Sequence, residues 1–264
     1  MTAPREQATV FGEVAGVYDD VRPGYPDSLV DAVLSAVGAA DPATVRAVEP
    51  GAGTGKATAA FAAQGLSVTC VEPDPQMAAV LRARFADELR VTVRVGRFEQ
   101  WVPPVGGVDL LYCAQAWHWL DEPTRCRRGY DALRPGGVVA LFGHAYMFAD
   151  EDVLVAVEDV YRRLAPSLIH DPVLTEAAPL GSWFAVELAA SGLFTDLSAE
   201  RFHSLVRFPT DRYLSLLATF SPHRMLPDEL RAAVFAAVAE TVDGFGGYVD
   251  VDLATVLAVA RRPV

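Results

Sequence analysis

Apolar residues recur along this chain with two spacings, one typical of helices and one typical of strands. In residues 26–38 they fall on one helical face, and Gly38 is placed to end that helix. The next apolar segment, 45–49, is short and favours a buried strand. The same reasoning predicts further helices at 56–64, 75–88, 122–133, 150–164, 183–191, 211–220 and 228–242.

Strand patterns alternate with these helices over the first half of the chain. The predicted strands cover 45–49, 67–72, 91–95, 108–113, 138–142, 200–208 and 248–260, with a turn at 134–137 before the fifth. Such alternation favours parallel strands joined by right-handed crossovers. We therefore expect an α/β fold with a doubly wound, mostly parallel seven-stranded sheet. Residues 1–143 would form its ligand-binding core, and residues 144–264 would supply the remaining strands and a helical substrate lid.

Composition narrows the possible partners. Hydrophobic residues make up 52% of the 264 residues, which allows a large core, and the formal net charge is -12. A surface this negative repels phosphate backbones, so nucleic acid is not expected as a partner. The chain has neither a signal-peptide pattern nor an apolar run of ~18 residues, so we expect a cytoplasmic protein without a membrane span. The three cysteines lack metal-ligand spacing, and we expect no metal.

The segment Glu49-Pro50-Gly51-Ala52-Gly53-Thr54-Gly55 joins the first predicted strand to a helix. Glycines permit tight backbone angles and let a ligand approach the main chain. The helix that follows offers free amides and a partial positive charge at its first turn. The loop is therefore the candidate ligand site, and its spacing separates three classes of cofactor.

Two of these classes fit the loop poorly. A phosphate-binding P-loop would need glycine where Pro50 stands and a metal-binding hydroxyl where Ala57 stands. A dinucleotide site would need its third glycine where Lys56 stands, and a long side chain there crowds the approach of helix to strand. A glycine turn without a ligand is the remaining structural alternative.

The third class is favoured by a resemblance. Residues 49–55 resemble the acidic, glycine-rich loop of class I S-adenosylmethionine-dependent methyltransferases, and four later stretches resemble that family in order: 71–77, 96–101, 108–120 and 133–138. Upstream, residues 18–26 resemble the N-terminal entry helix and loop of small-molecule methyltransferases, including the trans-aconitate methyltransferase type. The resemblance covers about residues 11–143 well and implies a Rossmann-like sheet, with S-adenosylmethionine as cofactor and S-adenosylhomocysteine as product.

The resemblance also implies cofactor contacts. Glu72, at the end of the second strand, would accept both ribose hydroxyls, and Glu49 would meet the amino group, directly or through water. Met77 would pack on the adenine face. Arg22 would pair with the cofactor carboxylate. The complete expected set is Tyr18, Arg22, Glu49, Gly51, Ala52, Gly53, Glu72, Pro73, Met77, Arg97, Phe98, Glu99, Ala114 and Gln115.

The reaction implied is transfer of a methyl group to a small-molecule acceptor, with a carboxylate or hydroxyl oxygen favoured. An acceptor that holds a proton needs a base, and the candidates are His118, after the fourth strand, and His144, after the fifth. Aromatic and basic residues are expected to line the acceptor pocket: Tyr25, Trp117, Tyr146, Phe220, His223 and Arg224. We expect a monomer or a homodimer. A nicotinamide-dependent oxidoreductase and a non-catalytic S-adenosylmethionine-binding protein remain the alternatives.

Overall fold

The computed structural model describes residues 15–169 and 182–264. Its helices are α1 (Ala15–Val21), α2 (Asp27–Val37), α3 (Lys56–Ala63), α4 (Pro75–Arg84), α5 (Arg125–Ala132), α6 (Glu151–Leu164), α7 (Trp183–Ser191), α8 (Thr210–Leu217), α9 (Ser221–Met225) and α10 (Asp228–Gly244). Its strands are β1 (Arg46–Pro50), β2 (Ser67–Glu72), β3 (Val91–Val95), β4 (Val108–Ala114), β5 (Leu133–Phe148), β6 (Thr195–Pro209) and β7 (Tyr248–Arg261).

The seven strands form one sheet in the order β3-β2-β1-β4-β5-β7-β6. The pairs β1–β2, β2–β3, β1–β4 and β4–β5 are parallel. Hydrogen bonds from Arg262 N to Gly137 O and from Ala149 N to Asp250 O show that β7 runs antiparallel to β5. The predicted α/β class with a mostly parallel seven-stranded sheet is therefore confirmed.

The chain forms two compact units. Unit 1 holds the described parts of Met1–Arg22 and His144–Ala177 together with His203–Ala254, and unit 2 holds Pro23–Gly143, the described part of Ala178–Phe202, and Thr255–Val264. Parts of the predicted domains, residues 1–14 and 170–181, lie outside the described residues. The lid role of residues 144–264 stays a prediction.

Neighbouring residues along the strands of unit 2 pack in two separate hydrophobic cores, because successive side chains of a strand point to opposite faces of the sheet. Tyr112 and Ala140 pack in one core with residues of α2 and α3, such as Val33 and Phe61. Their chain neighbours Leu111 and Val139 pack in the other core with residues of α5 and α7. The sheet is thus covered by helices on both faces, which explains why its central strands are apolar throughout.

Unit 1 has its own core. Helices α6, α8 and α10 contribute buried residues such as Val157, Leu216 and Val238. Val249 and Val251 of β7 and Phe208 of β6 pack in the same cluster. The described helices include none that is both long and apolar enough to cross a membrane.

Several boundaries differ from the sequence predictions; β6, for example, begins at Thr195 rather than at 200. Two of the differences have a clear cause. The turn expected at 134–137 is part of β5, because Gly136 N donates to Arg262 O and Arg262 N donates to Gly137 O, which pairs this stretch with the chain end. Helix α4 ends at Arg84 rather than at 88, because the chain turns there, with Glu88 N bonded to Phe85 O, before β3 begins at Val91.

Candidate functional site

The strand order reverses between β1 and β4, so the loops that follow these two strands diverge. In open α/β sheets, ligands bind in the crevice that opens at the carboxyl ends of the strands at this switch point. The glycine loop 51–55 follows β1, and Ala114 and Gln115 lie where β4 ends. The fold of unit 2 thus brings the sequence-predicted loop and these two residues to the edge where a ligand is expected.

Three glycines of the loop adopt left-handed backbone angles, with φ of 66° at Gly51, 58° at Gly53 and 88° at Gly55. A Cβ at Gly51 would overlap the Cβ of Ala116, and one at Gly55 would lie 2.5 Å from Cδ1 of Leu81. A Cβ at Gly53 would meet no atom within 4 Å. Gly51 and Gly55 are therefore required by packing, while Gly53 faces open space.

Glu72 joins the end of β2 to this loop. Its Oε2 accepts from the backbone N–H of Gly53 at 2.7 Å, and its Oε1 accepts from the N–H of Asp74 at 2.8 Å. The side chain is 5% exposed. Burial raises the pKa of Glu72 to about 7, although the two backbone N–H groups oppose the rise. Each carboxylate oxygen can accept a second hydrogen bond, so ribose hydroxyls could still be bound.

Glu49 lies deeper, at 1% exposure. Its Oε2 accepts from Thr58 Oγ1 at 2.5 Å and from the Tyr112 hydroxyl at 2.9 Å. Burial raises its pKa to about 8, and the charge of Glu72 adds to the rise while both hydroxyl donors oppose it. Among the described residues, no ion pair involves Glu49 or Glu72. Two buried acids without a cationic partner suit a ligand that carries positive charge.

Sequence reasoning missed the residues that support these acids. Thr58 and Tyr112 hold Glu49, and nothing in their sequence context marks them. Asp74 caps α4 by accepting from the N–H groups of Gln76 and Met77. A local signal for this last role was present, because Asp before Pro75 is a typical start of a helix. Met77 is buried on α4, and Pro73 is exposed.

The residues after β3 were expected at the adenine end. Phe98 is buried and stacks with Trp101 at a centroid distance of 5.9 Å. Arg97 is exposed and lies 3.7 Å from Glu99 in an ion pair. Glu99 also accepts from the backbone N–H of Asp121 at 2.8 Å. Glu99 thus ties the segment after β3 to the segment after β4.

Gln115 has an unusual backbone, with φ of 53°. A non-glycine residue in this region is uncommon, and such residues cluster at functional sites. Its N–H donates to Phe142 O at 2.8 Å, and a Cβ on Gly143 would lie 3.2 Å from its Cγ. Gly143 therefore leaves room for the Gln115 side chain beside β5. Ala52 is buried within the glycine loop, and Ala114 is partly exposed.

His118 stands in a short turn after β4 and is exposed. Its ring lies 4.4 Å from that of Trp119 and 6.2 Å from that of Trp183. Desolvation of the ring, and then the charge of Arg125, lower its pKa to about 4. Trp117 is fully buried, and a Cβ at Gly129 would lie 3.3 Å from its ring; its place in the acceptor pocket stays a prediction.

The other expected pocket residue of unit 2 is Tyr25. It is partly exposed and packs edge-on against Phe142, with ring centroids 4.8 Å apart. This contact orders the segment before α2.

Within unit 1, Arg22 is the centre of an aromatic cluster. Its Nε donates to Thr219 Oγ1 at 2.8 Å, and its Nη1 donates to the Tyr146 hydroxyl at 3.2 Å. Its guanidinium lies 4.2 Å from the Phe220 ring centroid and 5.0 Å from that of Tyr18. The contacts of Arg22 thus join three of the predicted residues, and its pairing with a cofactor carboxylate stays a prediction.

Three basic residues of unit 1 have different surroundings. His223 is 1% exposed, its Nε2 lies 2.9 Å from the Tyr161 hydroxyl, and burial lowers its pKa to about 4. Arg224 and His144 are partly exposed. The ring of His144 lies 6.0 Å from that of Tyr146. Across the described ranges 15–169 and 182–264, no group of three or more His, Cys, Asp or Glu residues could hold a metal ion.

Comparison with known sequences identifies one domain. Residues 47–137 match the family model of a methyltransferase domain. An uncharacterized methyltransferase of Mycobacterium tuberculosis is 36% identical over 137 residues, which cover 52% of this chain and 53% of that protein. The chain therefore spans about half the length of this relative. An uncharacterized methyltransferase-like protein of Schizosaccharomyces pombe is 27% identical over 84% of this chain and 82% of its own length.

Solved structures share the fold. A structure from Anaeromyxobacter dehalogenans, assigned as a type II methyltransferase, has a TM-score of 0.64 at 24% identity, covering 92% of this chain and 99% of its own. The phosphoethanolamine N-methyltransferase 2 of Haemonchus contortus, in complex with S-adenosylmethionine, has a TM-score of 0.57 at 18% identity, covering 98% of this chain and 59% of its own. Identities this low show likeness of fold alone.

Proposed function

We propose that this protein is a class I methyltransferase that uses S-adenosylmethionine to methylate an oxygen atom of a small molecule, because residues 47–137 match the family model of a methyltransferase domain. One observation carries the proposal. The open space beside Gly53, in a loop with three left-handed glycines, lies next to the buried acid Glu72, whose charge acts on a second buried acid, Glu49.

The residues present suit this cofactor. S-adenosylmethionine supplies a methyl group on a positively charged sulfur and carries an ammonium group. Glu49 and Glu72 offer carboxyl groups that a cation would stabilise in their charged form. Glu72 would bind the ribose, with its orientation fixed by Gly53 N–H and Asp74 N–H. Gly53 lets the ligand lie against the main chain.

The acceptor oxygen would be activated by His118. The ring is exposed, and its lowered pKa leaves it neutral near pH 7, so it can accept a proton, as a weaker base than an ordinary histidine. The acceptor hydroxyl would pass its proton to His118 while its oxygen takes the methyl group that S-adenosylmethionine would supply. The proton then leaves His118 to solvent. An ionised carboxylate acceptor would need no base. His144 remains the second candidate.

The net charge of -12 supports a small molecule rather than a nucleic acid as acceptor. The same proposal includes a cytoplasmic location, a monomeric or homodimeric state, and similarity to the trans-aconitate methyltransferase type. It also includes contacts with the acceptor, made by Tyr25 of unit 2 and by four residues of unit 1: Tyr146, Phe220, His223 and Arg224.

Thermal unfolding tests the cofactor. S-adenosylhomocysteine, NAD⁺ and ATP are added separately, each at up to ~100 times a typical dissociation constant, where a bound ligand stabilises by ~2.7 kcal/mol. We expect stabilisation by S-adenosylhomocysteine alone. A shift with NAD⁺ or ATP instead would contradict the proposal. Binding without turnover across a broad acceptor screen would favour a non-catalytic binding protein.

A further inference from the structure

Three aromatic rings of unit 2 face solvent close to the site. Trp183, the first residue of α7, is 40% exposed. His118 is exposed and Trp119 is partly exposed, and the His118 ring contacts both indoles. We call these three residues the aromatic trio. Exposure of large apolar rings at one spot is unfavourable in water, and such patches commonly mark a binding site.

A partly buried ion pair holds Trp183 and the turn that carries His118. The guanidinium of Arg125, which is 8% exposed, donates from Nε to Glu187 Oε1 at 2.6 Å and from Nη2 to Glu187 Oε2 at 2.9 Å. It also lies 5.5 Å from the Trp183 ring centroid and donates to Trp117 O at 3.5 Å. One side chain therefore ties the start of α7 to the turn that carries His118. Such a fork is more rigid than a single hydrogen bond.

The trio continues the proposed site along the chain. Gln115 ends β4 at the switch point, and His118 follows three residues later. A ligand that lies against the trio would place its polar group beside a neutral imidazole. Phe184 and Arg125 already lie against the Trp183 ring, with the Phe184 centroid 4.3 Å away, so a ligand would meet the exposed remainder of that ring. Aromatic pairs gain energy beyond the area they bury in edge-on as well as offset geometry, which favours a flat, conjugated ring over a saturated one of the same size.

We propose that Trp183, held by Arg125 and Glu187, is a specificity-determining residue, and that the aromatic trio selects an acceptor whose hydroxyl is carried on an aromatic ring. This inference rests on the proposed function and narrows the acceptor from any small molecule to a phenol. Arg125 and Glu187 act through Trp183 and are positioning residues.

The test uses two probes that differ only in the ring. 4-Methylphenol and 4-methylcyclohexanol are titrated against the full chain saturated with S-adenosylhomocysteine, and binding is followed by saturation-transfer NMR. We expect 4-methylphenol to bind roughly threefold to tenfold more tightly. Trp183→Leu should abolish that preference, and Trp183→Phe, which keeps a flat ring, should retain most of it.

Two control variants report nonspecific effects. Arg127→Gln breaks an exposed ion pair with Asp131 on the same helix as Arg125, and Phe245→Leu removes an exposed ring in unit 1. Both should keep the preference for 4-methylphenol. Equal binding of the two probes to the wild type, or an unchanged preference in Trp183→Leu, would overturn the inference. S-adenosylhomocysteine affinity is measured first, so that failure of the proposed function is seen separately.

Discussion

The carboxylate of Glu72 accepts a 2.7 Å hydrogen bond from the backbone N–H of Gly53, 19 residues earlier in the chain. The bond joins the end of β2 to the turn after β1. It places an acid beside the loop position where a Cβ would meet nothing within 4 Å. The predicted effects of substitution at both residues follow from this contact.

Gly53→Ala should fold and lose the cofactor. The added methyl group enters the open space that we assign to the ligand, so we expect at least a tenfold loss of S-adenosylhomocysteine affinity by calorimetry. Left-handed strain should cost about 1–2 kcal/mol of stability. Gly192→Ala is the matched control, because Gly192 also has a positive φ, 64°, and open space around its Cβ position. Equal affinity in the two variants would contradict the loop assignment.

Glu72→Gln should weaken both S-adenosylhomocysteine and 5′-methylthioadenosine, because both ligands carry the ribose. A hydrogen bond to a charged group contributes about 1.5–3 kcal/mol, so a loss of roughly tenfold to a hundredfold is expected in each dissociation constant. Glu240→Gln, at an exposed acid of α10, should leave both constants unchanged. A Glu72→Gln protein that binds both ligands normally would remove Glu72 from the ribose site.

Glu49→Gln should discriminate between the same two ligands. 5′-Methylthioadenosine lacks the amino-acid part, so its affinity should be retained, while S-adenosylhomocysteine should bind more weakly. The amide oxygen can still accept from Thr58 and Tyr112, which preserves the buried contacts. Equal losses for the two ligands would indicate a general disturbance of the loop rather than a lost contact with the amino group.

Stability should fall as the pH rises from about 4.5 to about 8. Burial raises the pKa of Glu49 from 4.5 to about 8, so the folded state holds a proton that the unfolded chain has released in this interval. The stabilisation by protonated Glu49 is fully present below pH 4.5. It is lost as the pH rises through the pKa of Glu49 in the folded state, about 8. The free energy of unfolding, measured with urea at pH 5, 6.5 and 8.5, should fall less with pH in Glu49→Gln than in the wild type. The difference should be on the order of a few kcal/mol. Parallel profiles would argue against a buried protonated Glu49.

His118→Asn should reduce turnover of a hydroxyl acceptor about a hundredfold and leave S-adenosylhomocysteine affinity unchanged, because a lost base affects only the chemical step. The lowered pKa of His118, about 4, keeps the ring neutral. The wild-type rate should therefore not fall between pH 7.5 and 5.5 as it would for an ordinary histidine. The assay follows methylated product. Full activity in His118→Asn, with loss in His144→Asn, would move the base to His144.

The sequence by itself determined the elements of the core and the position of the loop. Strands 67–72 and 91–95 and helix 183–191 were predicted with the bounds observed, because period and end signals are local properties of a few adjacent residues. The glycine loop was located by its spacing. These signals need no knowledge of distant residues.

The tertiary structure decided which distant groups meet. Tyr112 bonds to Glu49 from 63 residues away, and Arg125 bonds to Glu187 across 62 residues. Neither pair has a sequence signal, because its partners are brought together by the strand order and by the packing of α7. The extension of β5 through residues 134–137 likewise depended on pairing with the chain end. Periodicity fixes which face of an element is buried, but only the assembled sheet fixes what that face contacts.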